Sequence, residues 1–165
     1  MKIIVIGAGA MGCLYGAYLS KHNNVTMLDV YEPQVESINQ NGITVLEEDG
    51  TEQHFSNIRA MKSGTCKEVA DLVIVFVKSP HTESSLEENK ELFGENTLVM
   101  TLQNGAGSDR KIAKYVKTEN IIIGTSKHNS VNLGGGKIRH SGNGVTTIRT
   151  ISSGSPSDSA ISRLV

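Results

Sequence analysis

The feature that most restricts what this chain can become is Gly7-Ala8-Gly9-Ala10-Met11-Gly12, which follows directly on the β-branched run Ile3–Ile6. A short continuous apolar run is the pattern of a strand buried on both faces of a parallel sheet. From Ala10 to about His22 the apolar residues adopt helical spacing, with Met11, Leu14, Tyr15, Tyr18 and Leu19 on or near one stripe. The chain must therefore leave a buried strand, turn within three glycines and enter a helix. Gly7 makes the tight turn, Gly9 lets the backbone approach a pyrophosphate, and Gly12 lets the helix pack on the strand. The helix N-terminus then offers unpaired N–H groups and a positive dipole to an anion.

The same grammar repeats downstream. Val25–Asp29 reads as a second strand, and Pro33 sits where a helix first turn tolerates proline, ahead of Val35 and Ile38. Residues 43–58 read as a hairpin, with Ile43, Val45 and Phe55 flanking the Glu-Glu-Asp-Gly turn at 47–50. Leu72–Val77 is a further buried strand, Thr82 to about Phe93 a polar helix, and Thr97–Leu102 a strand again. Ser108 or Asp109 is placed to cap a helix running to about Val116, and Ile121–Ile123 is the next strand. Strands alternating with helices of this length form right-handed βαβ units, so the expected class is α/β, a Rossmann-type doubly wound, mainly parallel sheet. After about residue 127 the segments 129–133, 137–141 and 145–151 alternate polar and apolar residues between glycine-rich turns. They predict a short antiparallel β extension at one edge of the sheet near the C-terminus. Ser152–Ser159 is rich in Ser, Gly and Pro, with Pro156 following Ser155 as a helix start, and Ala160, Ile161 and Leu164 begin an apolar stripe. The expected organisation is a dinucleotide-binding domain over 1–151, then a linker and the start of a truncated helical second domain over 152–165.

A Gly-x-Gly-x-x-Gly string alone is weak evidence for a dinucleotide. Here the strand before it, the helix after it and Asp29 at the end of the next strand, about 20 residues on, complete the fingerprint. A carboxylate at that place hydrogen-bonds a free ribose 2′-OH and repels a 2′-phosphate, and Val30, Tyr31 and Glu32 add no basic group. NADH is therefore favoured over NADPH, although Asp29 also suits an ordinary strand-end turn. Composition narrows the partners. With 16 Lys+Arg against 17 Asp+Glu and no Trp, the chain lacks the basic excess and the stacking platforms that nucleic acid or an anionic membrane requires. No apolar run is long enough for a membrane helix, and Cys13 and Cys66 cannot build a disulfide framework. A cytoplasmic location is expected.

In an open α/β sheet ligands lie beyond the carboxyl ends of the strands. Lys78 ends the run Val73–Val77, and Asn104 follows Leu98–Leu102. Lys78 offers a cation to a carboxylate or ribose oxygen, and Asn104 can donate and accept at once. Equally, Lys78 can snorkel off a strand end and Asn104-Gly105 can be a plain turn.

The segment Met1–Gly12, the step Val77-Lys78-Ser79, the string Gln103-Asn104-Gly105-Ala106-Gly107, and Gly124-Thr125 followed by Gly-Lys-Ile-Arg-His-Ser-Gly-Asn-Gly at 136–144 occur in one order along nearly the whole chain. Together they resemble the ketopantoate reductase (2-dehydropantoate 2-reductase) family. The resemblance implies NAD(P)H-dependent reduction of a 2-keto acid, ketopantoate, to D-pantoate on the way to pantothenate and coenzyme A. It implies that Gly7, Ala8, Gly9, Ala10, Met11 and Gly12 bind pyrophosphate and that Lys78 and Asn104 lie at the cofactor–substrate junction. It also implies that Ser130 contacts the cofactor near the nicotinamide. Family habit points to NADPH and to a basic residue after the second strand, whereas this chain has Asp29-Val30. An NAD-using relative acting on another branched 2-keto acid, or a non-catalytic NAD-sensing module, therefore stays open. The family's proton-donating lysine and a substrate-binding carboxylate lie in a helical second domain, so this length of chain is expected to bind dinucleotide weakly and to show no appreciable turnover. The oligomer is not legible, and a homodimer is compatible with the sequence.

Other chemistry finds little support. The five histidines have no i,i+4 pair and no cysteine partners, so no metal site is expected. Cys13, in the first helical turn, reads as a reactive thiol or, more simply, as a small packing residue. His128 reads as a general acid or as a turn residue, and 87–91 as a solvated helix face.

Overall fold

A computed structural model describes residues 1–103, 107–142 and 144–151. Asn104 and the segment 152–165, with the linker and helix start expected there, lie outside the described residues.

β1 (Lys2–Ile6) alternates its side chains between two cores, Ile3 and Val5 on one face and Ile4 and Ile6 on the other, and none is more than 1% exposed. That is why its run is apolar throughout. β1 lies between β2 (Asn24–Asp29) and β6 (Leu72–Val75), both parallel to it. With β5 (Ile58–Lys62), β7 (Leu98–Thr101), β8 (Ile121–Ser126) and β11 (Thr146–Thr150), they form a seven-stranded sheet in the order β11-β8-β7-β6-β1-β2-β5. Every pairing is parallel except β11 with β8. The chain winds outward from β1 in both directions, as a doubly wound sheet requires. Among the described residues no helix is long and apolar enough to cross a membrane.

Three details differ from the sequence expectation. The hairpin of β3 (Ile43–Leu46) and β4 (Glu52–Phe55) forms as read, but Ile58–Lys62 is a separate strand pairing with β2. β9 (Asn129–Gly134) and β10 (Lys137–Gly142) do not extend the main sheet; only β11 does so. β10 pairs in parallel with β3, giving a second sheet of order β4-β3-β10-β9. The reason lies in α1 (Ala10–Leu19), which is apolar on nearly every side rather than along one stripe. One side packs so closely on β2 that a Cβ on Gly16 would meet Met27 Sδ at 2.4 Å, and the second sheet covers the other. Finally, the helices are shorter than their patterns. α2 spans Glu32–Asn41, α3 Thr82–Glu88 followed by a 3-10 turn at Lys90–Leu92, and α4 Ser108–Ile112. Neither Ser108 nor Asp109 caps α4: the preceding residue is Gly107 at φ +100°.

Candidate functional site

The carboxyl ends of β1, β2 and β6 meet at the glycine loop. Gly7 N–H donates to Leu28 O (2.7 Å) and Phe76 N–H to Ile6 O (2.8 Å), so the loop springs from the centre of the sheet. Gly7 adopts φ +104°, where a Cβ would also lie 3.0 Å from the Phe76–Val77 backbone. At Gly12 a Cβ would lie 1.9 Å from Gly7 O, which is how closely α1 sits on the loop. Gly9 is different. Its backbone is extended (φ −74°) and a Cβ there would meet nothing within 4 Å. The open space therefore lies over Gly9 and the start of α1, where no acidic side chain occupies the first turn and the first N–H groups lack intrahelical partners.

Asp29 and Gln34 grip the loop between them. Ala8 N–H donates to Asp29 Oδ2 (2.7 Å), and Ala8 O accepts from Gln34 Nε2 (3.0 Å) and Cys13 Sγ (3.2 Å). The other Asp29 oxygen accepts from Tyr31 N–H (2.9 Å). The turn role and the ligand role of Asp29 are thus compatible, because each carboxylate oxygen retains a further lone pair. β5 adds what the sequence order concealed. Lys62 stands opposite Asp29 in the β2–β5 register, and its ammonium pairs with Glu32 (2.5 Å). Cys13 is a packing residue: burial foremost, with Asp29 adding, pushes its thiol up to about 12 against the opposing Gln34 hydrogen bond.

A cleft of about 590 Å³ opens over the loop, lined by Gly7, Gly9–Gly12 and Asp29 and walled by Phe76, Val77 and Lys78. Lys78 is exposed at the start of a 3-10 turn, Ser79–His81, and makes no ion pair with a described residue. Its loop is held by Gln103, whose amide donates to Val77 O and to Thr82 Oγ1 (2.9 Å) while accepting from Thr101 Oγ1 (3.1 Å). Lys111 Nζ adds a bond to Ser79 O (3.2 Å). The structure thus gathers the six loop residues, Asp29 and Lys78 in one neighbourhood, Ala8 facing an adjoining hollow of about 480 Å³. Ser130, on β9, does not line the cleft; its Oγ is enclosed and has no hydrogen-bond partner. Among the described residues no cluster of His, Cys, Asp and Glu could hold a metal ion.

Sequence reasoning missed Gln34, Gln103 and a polar chain on the far side of α1. In that chain His128 Nδ1 meets His140 Nε2 (3.0 Å), His140 Nδ1 meets Glu47 (2.8 Å), and Tyr18 donates to Glu47. Burial first, then His140, holds the His128 pKa below its ordinary value. Gln34 shares α2 with the buried Val35 and Ile38, the one hint a sequence carries that a polar residue faces inward.

Against known proteins, the sequence profile of the family described as Ketopantoate reductase PanE/ApbA matches residues 3–153. A 2-dehydropantoate 2-reductase of Lactococcus lactis is 34% identical over 157 residues, 93% of this chain and 50% of the relative. That of Streptococcus pyogenes serotype M3 (strain SSI-1) is 31% identical over 152 residues, covering 92% and 48%. Among solved structures, a 2-dehydropantoate 2-reductase from Geobacter metallireducens superposes with a TM-score of 0.88 at 26% identity, covering 99% of this chain and 54% of that one. D-mandelate dehydrogenase in a ternary complex with NADH and anilino(oxo)acetate gives 0.88 at 29%, covering 99% and 52%. The chain spans about half the length of the curated relatives it matches.

Proposed function

The chain belongs to the ketopantoate reductase family, and from that premise we propose that it forms the cofactor-binding half of an NAD(P)H-dependent reductase converting ketopantoate to D-pantoate. The observation that carries this reading is the glycine loop itself: gripped at Ala8 by Asp29 and Gln34, yet open over Gly9 at a helix N-terminus. A rigid cradle of unpaired N–H groups with space above it fits a pyrophosphate. In this reading Gly7 to Gly12 hold the diphosphate and Asp29 accepts from a ribose hydroxyl with its remaining lone pairs. The Ser130 hydroxyl, enclosed and away from this cleft, takes no part in this reading. When bound, the dinucleotide supplies a hydride; the protein's part is orientation and electrostatics.

Lys78 and Asn104 are the proposed positioning groups for the substrate. The Lys78 ammonium, unclaimed by a carboxylate among the described residues, is free to draw the 2-keto acid's carboxylate toward the carboxyl end of β6. Gln103 sets the height of that loop by tying Val77 O and Thr82 to the end of β7. The proton for the new hydroxyl comes, by the family resemblance, from a lysine outside these 165 residues.

Asp29 favours NADH over NADPH, and D-mandelate dehydrogenase, a structural neighbour with NADH bound, supports a second reading in which the substrate is another 2-keto acid. Fluorescence titration of the chain with each dinucleotide, and turnover of the complete gene product on ketopantoate and on phenylglyoxylate, test both. The expected result is tighter NADH binding and turnover fastest on ketopantoate; faster turnover on the aryl acid transfers the assignment to the second reading, and no binding of either dinucleotide refutes both.

A further inference from the structure

The rim beside Asp29 carries a cation that the order of residues along the chain does not reveal. Residues in register on neighbouring parallel strands present their side chains to the same face, and Lys62 is the register partner of Asp29. The two strand ends are tied by the main chain, since Ser63 N–H donates to Asp29 O (2.9 Å). Lys62 O accepts from both Thr65 N–H (3.2 Å) and Thr65 Oγ1 (2.7 Å), which fixes the end of β5. Lys62 is thus held next to the carboxylate that faces a ribose 2′ position in the proposed function. Its ammonium is taken up by Glu32, the first residue of α2, at 2.5 Å. Glu88, bonded through Ser63 Oγ (2.7 Å), adds a third carboxylate to the same rim.

We infer that Glu32 is a specificity-determining residue for the dinucleotide: by holding Lys62 in an ion pair it denies that ammonium to a 2′-phosphate and adds its own charge against one. The inference rests on the proposed dinucleotide site and extends it from Asp29 to Glu32. Discrimination here comes from a repulsive arrangement as well as from Asp29. Glu32 and Lys62 side chains are 60% and 56% exposed. The pair therefore contributes little to stability, and the variants should fold.

The test is the ratio of NADPH to NADH affinity, read by fluorescence titration of the chain at low salt. Glu32→Gln is expected to shift that ratio about five- to tenfold toward NADPH, as release of one exposed ion pair to a doubly charged phosphate would, with the shift shrinking as salt is raised. The double variant Glu32→Gln, Lys62→Met is expected to lose most of that shift, keeping only the part owed to the missing Glu32 charge. A Glu32→Gln protein that binds NADH with an unshifted ratio overturns the inference, and so does a gain that loss of Lys62 leaves undiminished. Failure of the unsubstituted chain to bind either dinucleotide would instead remove the site itself, and the inference with it.

Discussion

A methyl group added at Gly12 and one added at Gly9 should have different consequences, because the first meets backbone and the second open space. At Gly12 an added methyl group lies 1.9 Å from Gly7 O, where ordinary contact begins near 3.4 Å, and both partners are backbone. No rotamer relieves that, so α1 or the loop must move by about 1.5 Å, an overpacking that costs about 1–3 kcal/mol. The gain of about 1 kcal/mol from replacing a helical glycine offsets only part of it. Because the clash is with backbone the upper end of that range applies, so Gly12→Ala should lose about 2 kcal/mol of stability and bind NADH poorly. At Gly9 the methyl group meets nothing within 4 Å. The weaker N-cap preference of Ala and the reduced freedom of the unfolded chain oppose each other at about 0.5–1 kcal/mol each. Gly9→Ala should keep wild-type stability to within about 0.5 kcal/mol, yet lose at least tenfold in NADH affinity, about 1.4 kcal/mol, because the methyl occupies the approach to the loop. Urea unfolding and NADH fluorescence titration of both variants decide the matter. Undiminished NADH binding by Gly9→Ala would refute the reading of this loop as the diphosphate cradle. Wild-type stability in Gly12→Ala would refute the packing argument.

Other consequences are open to measurement. Asp29→Asn places an amide where Ala8 N–H or Tyr31 N–H needs an acceptor, and should cost about 1–3 kcal/mol in urea unfolding besides weakening NADH binding; a variant as stable as wild type would show that Asp29 does not anchor the loop. Gln103→Leu removes the tie between the ends of β6 and β7 and should weaken 2-keto acid affinity of the complete gene product more than NADH affinity, with equal losses counting against a positioning role. Cys13 is buried with its thiol pushed up to about 12, and Cys66 is buried too, so a thiol reagent should label neither until the protein is unfolded. His128 has its pKa lowered from 6.5 by burial and by His140, so the folded state favours its neutral ring. The stability it contributes is complete above about pH 6.5 and falls as the pH drops through the lowered value; His128→Asn should flatten that acid limb, and a limb parallel to wild type would refute it.

The parts of the fold legible in the sequence are those set by neighbours along the chain. A run such as Ile3–Ile6 is apolar because both faces of its strand are covered, and the spacing of Gly7, Gly9 and Gly12 follows from one turn between one strand and one helix. Asp29 and Lys78 could be singled out because each ends such a run. The two sheets are another matter. Nothing within 129–142 says whether its hairpin extends the main sheet or covers α1, since either location satisfies the same alternation. The choice falls to α1, whose outward side is apolar and would otherwise stay wet.

The site divides along the same line. Sequence alone determined the doubly wound class, the glycine loop and its carboxylate, because a local backbone conformation tolerates few residue types. Only the tertiary structure decided that Asp29 binds the N–H and Gln34 the carbonyl of Ala8, that Gln103 carries the Lys78 loop, and that Lys62 stands beside Asp29. Those relations join residues far apart in the chain. Strand order and register bring them together, and both are settled by burial summed over the whole sheet, which no short stretch of sequence contains.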